Sequence, residues 1–153
     1  METTTSNCFD VASYILEKKN TMPVMKLQKL VYYCQAWSLV WDDAPLFDNR
    51  IEAWINGPVV VDLYNYHKGH YRVGASFFKD GNSSRLNSIQ KETIDRVLDF
   101  YGDKDSQWLS NLTHLEEPWK NARKGLDAKE RGNREITWES MAEYYSSIPP
   151  EED

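Results

Sequence analysis

Cysteine is nearly absent from this chain. Its 153 residues hold only Cys8 and Cys34, too few for the disulfide framework on which small secreted domains depend, so both are expected to be reduced. Histidine is almost as rare, at three residues, and no CxxC, HExxH or carboxylate cluster completes a set of metal ligands. A GxSxG nucleophile elbow, a phosphate-cradling lysine loop and the dinucleotide glycine fingerprint are all missing. No enzyme signature, cofactor or metal is therefore read from the sequence. Positive charge is in deficit too. Against 24 acidic residues stand 18 basic ones, for a formal net charge of -6, whereas a general nucleic-acid binder needs clustered Lys and Arg. No stretch reaches the roughly 20 apolar residues of a membrane span, and the opening METTTSN has neither the charged nor the apolar segment of a secretory leader. Together these absences predict a cytoplasmic protein with no membrane contact.

Aromatic residues are what the chain has in excess, with six Trp, nine Tyr and five Phe. Each buried ring removes about 150 to 250 Å² from water, and a chain of this length buries roughly 70% of its unfolded surface. One aromatic-rich core is expected, without help from a metal or a disulfide. Its centre is the stretch Met25 to Trp41, MKLQKLVYYCQAWSLVW. At about 100° per residue, Leu27, Leu30, Val31, Cys34, Trp37 and Trp41 fall on one arc, which Tyr33, Ala36 and Val40 widen. Gln28, Gln35 and Asp42 are left as a polar stripe. With Lys26, Lys29 and two Gln inside it, the segment is a buried central helix and not a span.

Other elements must pack around that helix. Asn7 to Lys18 reads as a first helix, with Asn7 as cap and Asp10 in the first turn. Ile51, Ala53 and Ile55 alternate with Glu52, Trp54 and Asn56, the pattern of a short strand. Gly57 and Pro58 predict a sharp reversal into a helix that starts near Val59 and carries Val60, Leu63, Tyr64 and His67. Clusters of Gly, Asn and Ser from Tyr71 to Leu86 predict a loop with a hairpin turn at Asp80-Gly81. A helix follows from Ser88 to Tyr101, with Ile89, Thr93, Val97 and Phe100 or Tyr101 inward and Gly102 at its end. Another spans Ser106 to His114, with Trp108, Leu109 and Leu112 inward. Pro118 opens a short helix that Gly125 stops. A polar loop from Asp127 to Glu135 leads to a last helix, capped by Thr137 and carrying Trp138, Met141, Tyr144 and Tyr145, after which Pro149, Pro150 and the acidic end are expected to fray. The fold class is mostly α: one compact domain over residues 1–153, its core at about 8–147, built of helices around a central apolar helix with a small extended or β element.

Few residues suggest chemistry. His67 and His70 share a helix face at i and i+3, a metal half-site by spacing alone, and solvated helix-end histidines are the plainer expectation. Cys34, on the apolar arc, is expected to be an inert thiol. Glu52, beside Trp54, is expected to accept backbone or indole hydrogen bonds as an anchor of the fold. In LTHLEEPWKNAR, Thr113 and Glu116 are placed to cap the helix that Pro118 opens. His114 with Glu116 is the pairing from which a hydrolase would have to be built. Between Lys120 and Arg134, the basic residues Lys120, Arg123, Lys124, Lys129, Arg131 and Arg134 outnumber Asp127 and Glu130. Such a run is a solvated helix end and loop, or else a contact for an acidic protein or a nucleic-acid phosphate.

Three successions carry a family resemblance: KLQKLVYYCQAW from Lys26 to Trp37, PLFDNRIEAWINGPVV from Pro45 to Val60, and LTHLEEPWKNAR from Leu112 to Arg123. In that order, over roughly Ala12 to Tyr145, the chain resembles the Panacea domain family, which includes SocA-like antitoxins and phage-associated proteins. The resemblance implies an antitoxin that neutralises a cognate toxin by direct binding, and for the SocA-like branch an adaptor that delivers the toxin to a ClpXP-type protease. The family is not known for catalysis. Its recurrent residues therefore transfer as determinants of fold or partner: Lys26, Leu27, Gln28, Lys29, Tyr33, Glu52, Trp54, Gly57, Pro58, Thr113, His114, Glu116, Pro118 and Trp119. Cys34 stands where the family has an alanine-like residue, a conservative core change, and no appended DNA-binding domain is expected. For the partner contact itself the expected anchors are Tyr64, Tyr66, Tyr71 and Arg72, at a helix end and loop, with Trp119 and Arg123, since aromatic and Arg side chains dominate binding energy. The alternative is a phage- or mobile-element-associated regulatory protein that touches nucleic acid through the basic 120–134 segment.

Overall fold

The computed structural model describes residues 6–148. The start of the polar lead and the end expected to fray, from Pro149 onward, lie outside the described residues. Helix α1 (Cys8–Lys19) begins at its predicted cap, where Asn7 accepts from the Asp10 amide at 3.0 Å and the Asp10 carboxylate accepts from the Asn7 amide at 2.9 Å. Asp10 is fully buried, and its other oxygen accepts from the Asn82 amide and the Arg85 guanidinium at 2.8 and 2.9 Å. One first-turn acid thus caps a helix and ties down a distant loop.

Strand β1 (Met22–Pro23) runs straight into the central helix α2 (Val24–Trp41), with Pro23 as its N-cap. The predicted polar stripe of α2 is turned inward. Gln28 and Gln35, two turns apart, are both buried, and each side-chain amide offers the donor and acceptor of a peptide group. Gln28 accepts from the Val60 amide at 2.8 Å and donates to the Val60 carbonyl at 3.2 Å. Gln35 accepts from the amides of Leu46 and Phe47 at 2.7 and 3.3 Å and donates to the Phe47 carbonyl at 2.7 Å. Asp42 continues the row by accepting from the Thr93 hydroxyl. Polar groups paired in this way can be buried at little net cost.

Strands β2 (Ile51–Trp54) and β3 (Gly57–Val60) form an antiparallel hairpin, Ile51 opposite Val60 and Trp54 opposite Gly57. The helix predicted to start near Val59 is corrected: Val59 and Val60 are strand, and α3 (Val61–His67) begins after them. Pairing overrides the local signal, because Val60 is β-branched and Gln28 holds both of its backbone groups. The reversal falls on Ile55 and Asn56, ahead of Gly57 at φ +123°. Pro58 has no N–H to give, and Ala53 opposite it turns its own N–H to the Arg134 carbonyl on the other side. The predicted polar loop up to Glu135 therefore ends in a strand-like edge, closed by the Glu52–Glu135 bridge and by the Ile136 N–H donating to the Ile51 carbonyl.

Strand β4 (Arg72–Val73) pairs with β1, and a 3-10 turn spans Ser83–Arg85; the turn at Asp80-Gly81 joins no strands. Helices α4 (Ser88–Tyr101), α5 (Ser106–Leu115), α6 (Glu117–Ala122) and α7 (Trp138–Ser146) lie close to their predicted bounds, with Asn87, Asp105 and Thr137 capping α4, α5 and α7. Helix α2 packs against α1, α4, α5, α7 and β3. The inward face of α4 differs from the prediction: Thr93, Ile94, Val97, Leu98 and Tyr101 are buried, while Ile89 and Phe100 are exposed. On α5 it is Leu109 that is buried, and Trp108 is 41% exposed. Cys8 and Cys34 are unbridged thiols within the hydrophobic core, both pushed up in pKa by burial. No helix among the described residues is long and apolar enough to cross a membrane.

Candidate functional site

The exposed rings Phe100 and Trp108 border a part of α2 that no element among the described residues covers. Between the C-terminal half of α2 and helices α4, α5 and α7 lies an open groove of about 870 Å³. Its back wall is Trp37 and Trp41, four residues apart on α2 and stacked with centroids 5.0 Å apart. Phe100 and Tyr101 come from α4, Trp108 and Leu112 from α5, and Tyr144 and Tyr145 from α7, with Ile148 just beyond it. Among the described residues that line the groove, Arg96 and Glu116 are the charged ones. The Arg96 guanidinium lies 3.8 Å above the Trp41 ring, and the Lys104 ammonium sits 4.9 Å over Trp108.

Glu116 stands at the break between α5 and α6 with an extended backbone. Although it is the N-cap residue of α6, its side chain makes no cap hydrogen bond, contrary to the sequence expectation. Its Oε1 accepts from the Tyr33 hydroxyl at 2.8 Å and from the Tyr145 hydroxyl at 2.6 Å, and the Tyr32 hydroxyl lies 3.0 Å from that of Tyr145. Among the described residues Oε2 accepts no hydrogen bond, and it is not one of the buried unpaired atoms. Burial raises the Glu116 carboxyl above the usual carboxylate value while the two tyrosine bonds pull it back. Burial and the neighbouring carboxylate hold Tyr33 and Tyr145 well above the ordinary tyrosine value, so both remain O–H donors. Thr113, the other expected cap, donates instead to the Ser110 carbonyl at 2.7 Å.

A family model described as antitoxin SocA-like, Panacea domain matches residues 27–120, more than half of the chain. The chain belongs to this family. No curated protein and no solved structure matches it. The Panacea match contains the α2, α4 and α5 walls of the groove together with Tyr33 and Glu116, whereas α7 follows it.

Most of the other residues expected from the family resemblance converge on the hairpin at the opposite end of α2. Lys29 is fully buried, its Nζ without a hydrogen-bond partner among the described residues, and a Cβ on Gly57 would lie 2.6 Å from its Cε. Glu52 is the expected anchor, accepting from the Trp54 indole at 2.8 Å and from Arg50 at 2.8 Å. The Trp119 indole donates to the Trp54 carbonyl at 2.8 Å, and its ring lies 4.0 Å from that of His114. The His114 nitrogens are 2.6 and 2.9 Å from the carbonyls of Ser110 and Ile55, so His114 faces backbone while Glu116 faces tyrosines, and the two do not pair. His67 is not solvated as expected: it is buried against Gln28, and His70 alone of that pair is exposed. Lys26 is half-buried and Pro118 buried.

The expected partner anchors are spread over different surroundings. Tyr64 packs edge-on against Trp54, and Tyr66 sits among Phe9, Phe77 and Phe78. Tyr71 and Arg72 are exposed, with Arg72 donating to the Thr21 carbonyl at 3.2 Å. Arg123 is buried and donates to the carbonyls of Ala53, Asp127 and Glu130 at 3.1, 3.1 and 2.5 Å. None of these residues lines the groove. The groove residues absent from the sequence expectations are Arg96, Ser146 and Ile148 and, as open rings, Trp37, Trp41, Phe100, Trp108 and Tyr144. A signal existed in the i, i+4 pair of Trp at the end of α2, more ring than one helix end needs for packing.

Proposed function

We propose that this Panacea protein is an antitoxin that neutralises a cognate toxin by direct binding, with the aromatic groove as its contact surface. The supporting observation is that a protein of an antitoxin-named family leaves a ring-lined groove of about 870 Å³ open on its central helix. Clustered Trp and Tyr side chains around a partly desolvated pocket are the usual source of binding energy at protein interfaces. Binding also asks nothing of the thiols, which are sealed in the core, or of His114, which is tied to two carbonyls. Delivery of the bound toxin to a ClpXP-type protease is a second step built on the same contact. Tyr71 and Arg72, being exposed, are proposed as accessory contacts, whereas Arg123 would have to leave three carbonyls to reach a partner. Arg123 and Arg134 both donate to backbone carbonyls, which thins the basic 120–134 segment as a nucleic-acid surface.

The test is co-expression with the product of the adjacent gene. Rescue of growth with a stoichiometric complex supports binding, and rescue with protease-dependent loss of the partner supports delivery. Phe100→Glu or Trp108→Glu, both at half-open positions, should abolish rescue in a protein that still folds. A neighbouring product that is not toxic and forms no complex with this protein would sink the proposal.

A further inference from the structure

A carboxylate at the floor of an aromatic groove is a poor match for a purely aliphatic partner. Covering Glu116 would strip water from a group whose Oε2 accepts no hydrogen bond among the described residues. The same floor suits a cation. Ring faces attract guanidinium and ammonium groups, and the groove already holds one instance, Arg96 stacked 3.8 Å above Trp41. The formal net charge of -6 adds an attractive field for a basic segment. Around the floor the lining is ring and aliphatic carbon, the surface that receives the apolar face of an amphipathic helix.

We propose that the groove docks a protein segment presenting aliphatic side chains around one central arginine or lysine, whose charged head passes the rings and pairs with the Glu116 carboxylate. The Tyr33 and Tyr145 hydroxyls hold Oε1 and leave Oε2 for the incoming donor. The identity of the partner as a toxin rests on the antitoxin reading above; the chemistry of the docked segment does not.

Fluorescence of Trp37, Trp41 and Trp108 reports on the groove in the full chain. It is titrated with two amphipathic helical peptides, identical except for arginine or norleucine at the centre of the apolar face. The arginine peptide is expected to bind about tenfold tighter or better. Glu116→Gln keeps an acceptor for both tyrosines and should cut that advantage to about twofold or less. Equal affinities for the two peptides, or no binding of either at about 1 mM, overturns the proposal. So does an unchanged advantage in a folded Glu116→Gln protein. Growth rescue separates this result from the broader reading. Rescue that Glu116→Gln and Trp108→Glu leave intact overturns the groove while the antitoxin stands. Absence of any toxicity removes the antitoxin reading while the peptide pair still decides the groove.

Discussion

The two ends of α2 handle burial in opposite ways. Near its start the helix seals polar groups: Gln28 clasps the backbone of Val60, and Lys29 lies wholly out of water beside Gly57 and Thr113. Near its end it leaves apolar rings open, with Trp37 and Trp41 backing a groove. Polarity and exposure are thus inverted along one helix. The sealed polar end holds the hairpin in register and is scaffold; the open apolar end is the surface proposed for recognition. If that division is right, substitutions at the first end should move stability and those at the second should move binding.

Gly57→Ala should give the largest effect. At φ +123° an L-residue is strained, and the new Cβ would lie 2.6 Å from Lys29 Cε and 3.0 Å from Thr113 Oγ1. A loss of about 3 kcal/mol is expected, or roughly 10 °C in Tm for a domain of this size. Urea unfolding measures it. A loss below about 1 kcal/mol would mean that the sealed end yields easily, and the contrast with the groove would fail.

Lys29→Met should act in the other direction. The buried ammonium has no hydrogen-bond partner among the described residues, and burial lowers its pKa from 10.5 to about 8. Between those values the unfolded chain keeps a proton that the folded chain has released, so stability rises with pH across that window. Below it the full penalty of the buried charge is present. Methionine should therefore add about 2 kcal/mol at neutral pH, and its advantage should shrink as pH climbs from 8 to 10.5. No gain at neutral pH would show that Lys29 has compensation in solution, and the scaffold would then depend on a charge rather than tolerate one.

The same inversion sets what the sequence could tell. Periodicity places α2 and the later helices well, and caps such as Asn7 and Thr137 are legible because they act within one turn of chain. Gln28 and Gln35 read as a polar stripe, but their amides are satisfied by backbone 32 and 12 residues away, which no local pattern encodes. Arg123 read as a partner anchor for the same reason, since its three carbonyl acceptors are brought to it only by folding. Phe100 and Trp108 read as core because apolar periodicity does not say which face a neighbour leaves uncovered. Of the groove lining, only Glu116 is among the candidate site residues that the sequence offers, and on motif rather than on geometry.

Acid should act on the sealed end with a smaller effect. Gln28 Oε1 is fixed by the Val60 amide, so Nε2 is the atom 3.0 Å from His67 Nε2, and His67 must accept there with its proton on Nδ1. Protonation would set donor against donor. Burial lowers the His67 pKa, so below 6.5 the unfolded chain takes up the proton first and stability falls as pH falls, by at most about 1.4 kcal/mol per pH unit. The slope should be absent in His67→Phe. A wild-type slope that persists in the variant would locate the acid sensitivity elsewhere.

At the open end, Arg96→Gln should cost the least. The guanidinium stacks on Trp41, but Arg96 is exposed, and a cation–π contact in water contributes about 0.5 to 1 kcal/mol. Unfolding curves should shift by no more than that, while acrylamide quenching of Trp41 increases as the ring loses its cover. The two readouts must separate for the contrast between the ends of α2 to hold. A loss near 3 kcal/mol would make Arg96 a structural brace and the groove part of the scaffold. A small loss with easier quenching would instead show that the back wall stands on its own packing, with Arg96 as a movable cover that an incoming cation can replace.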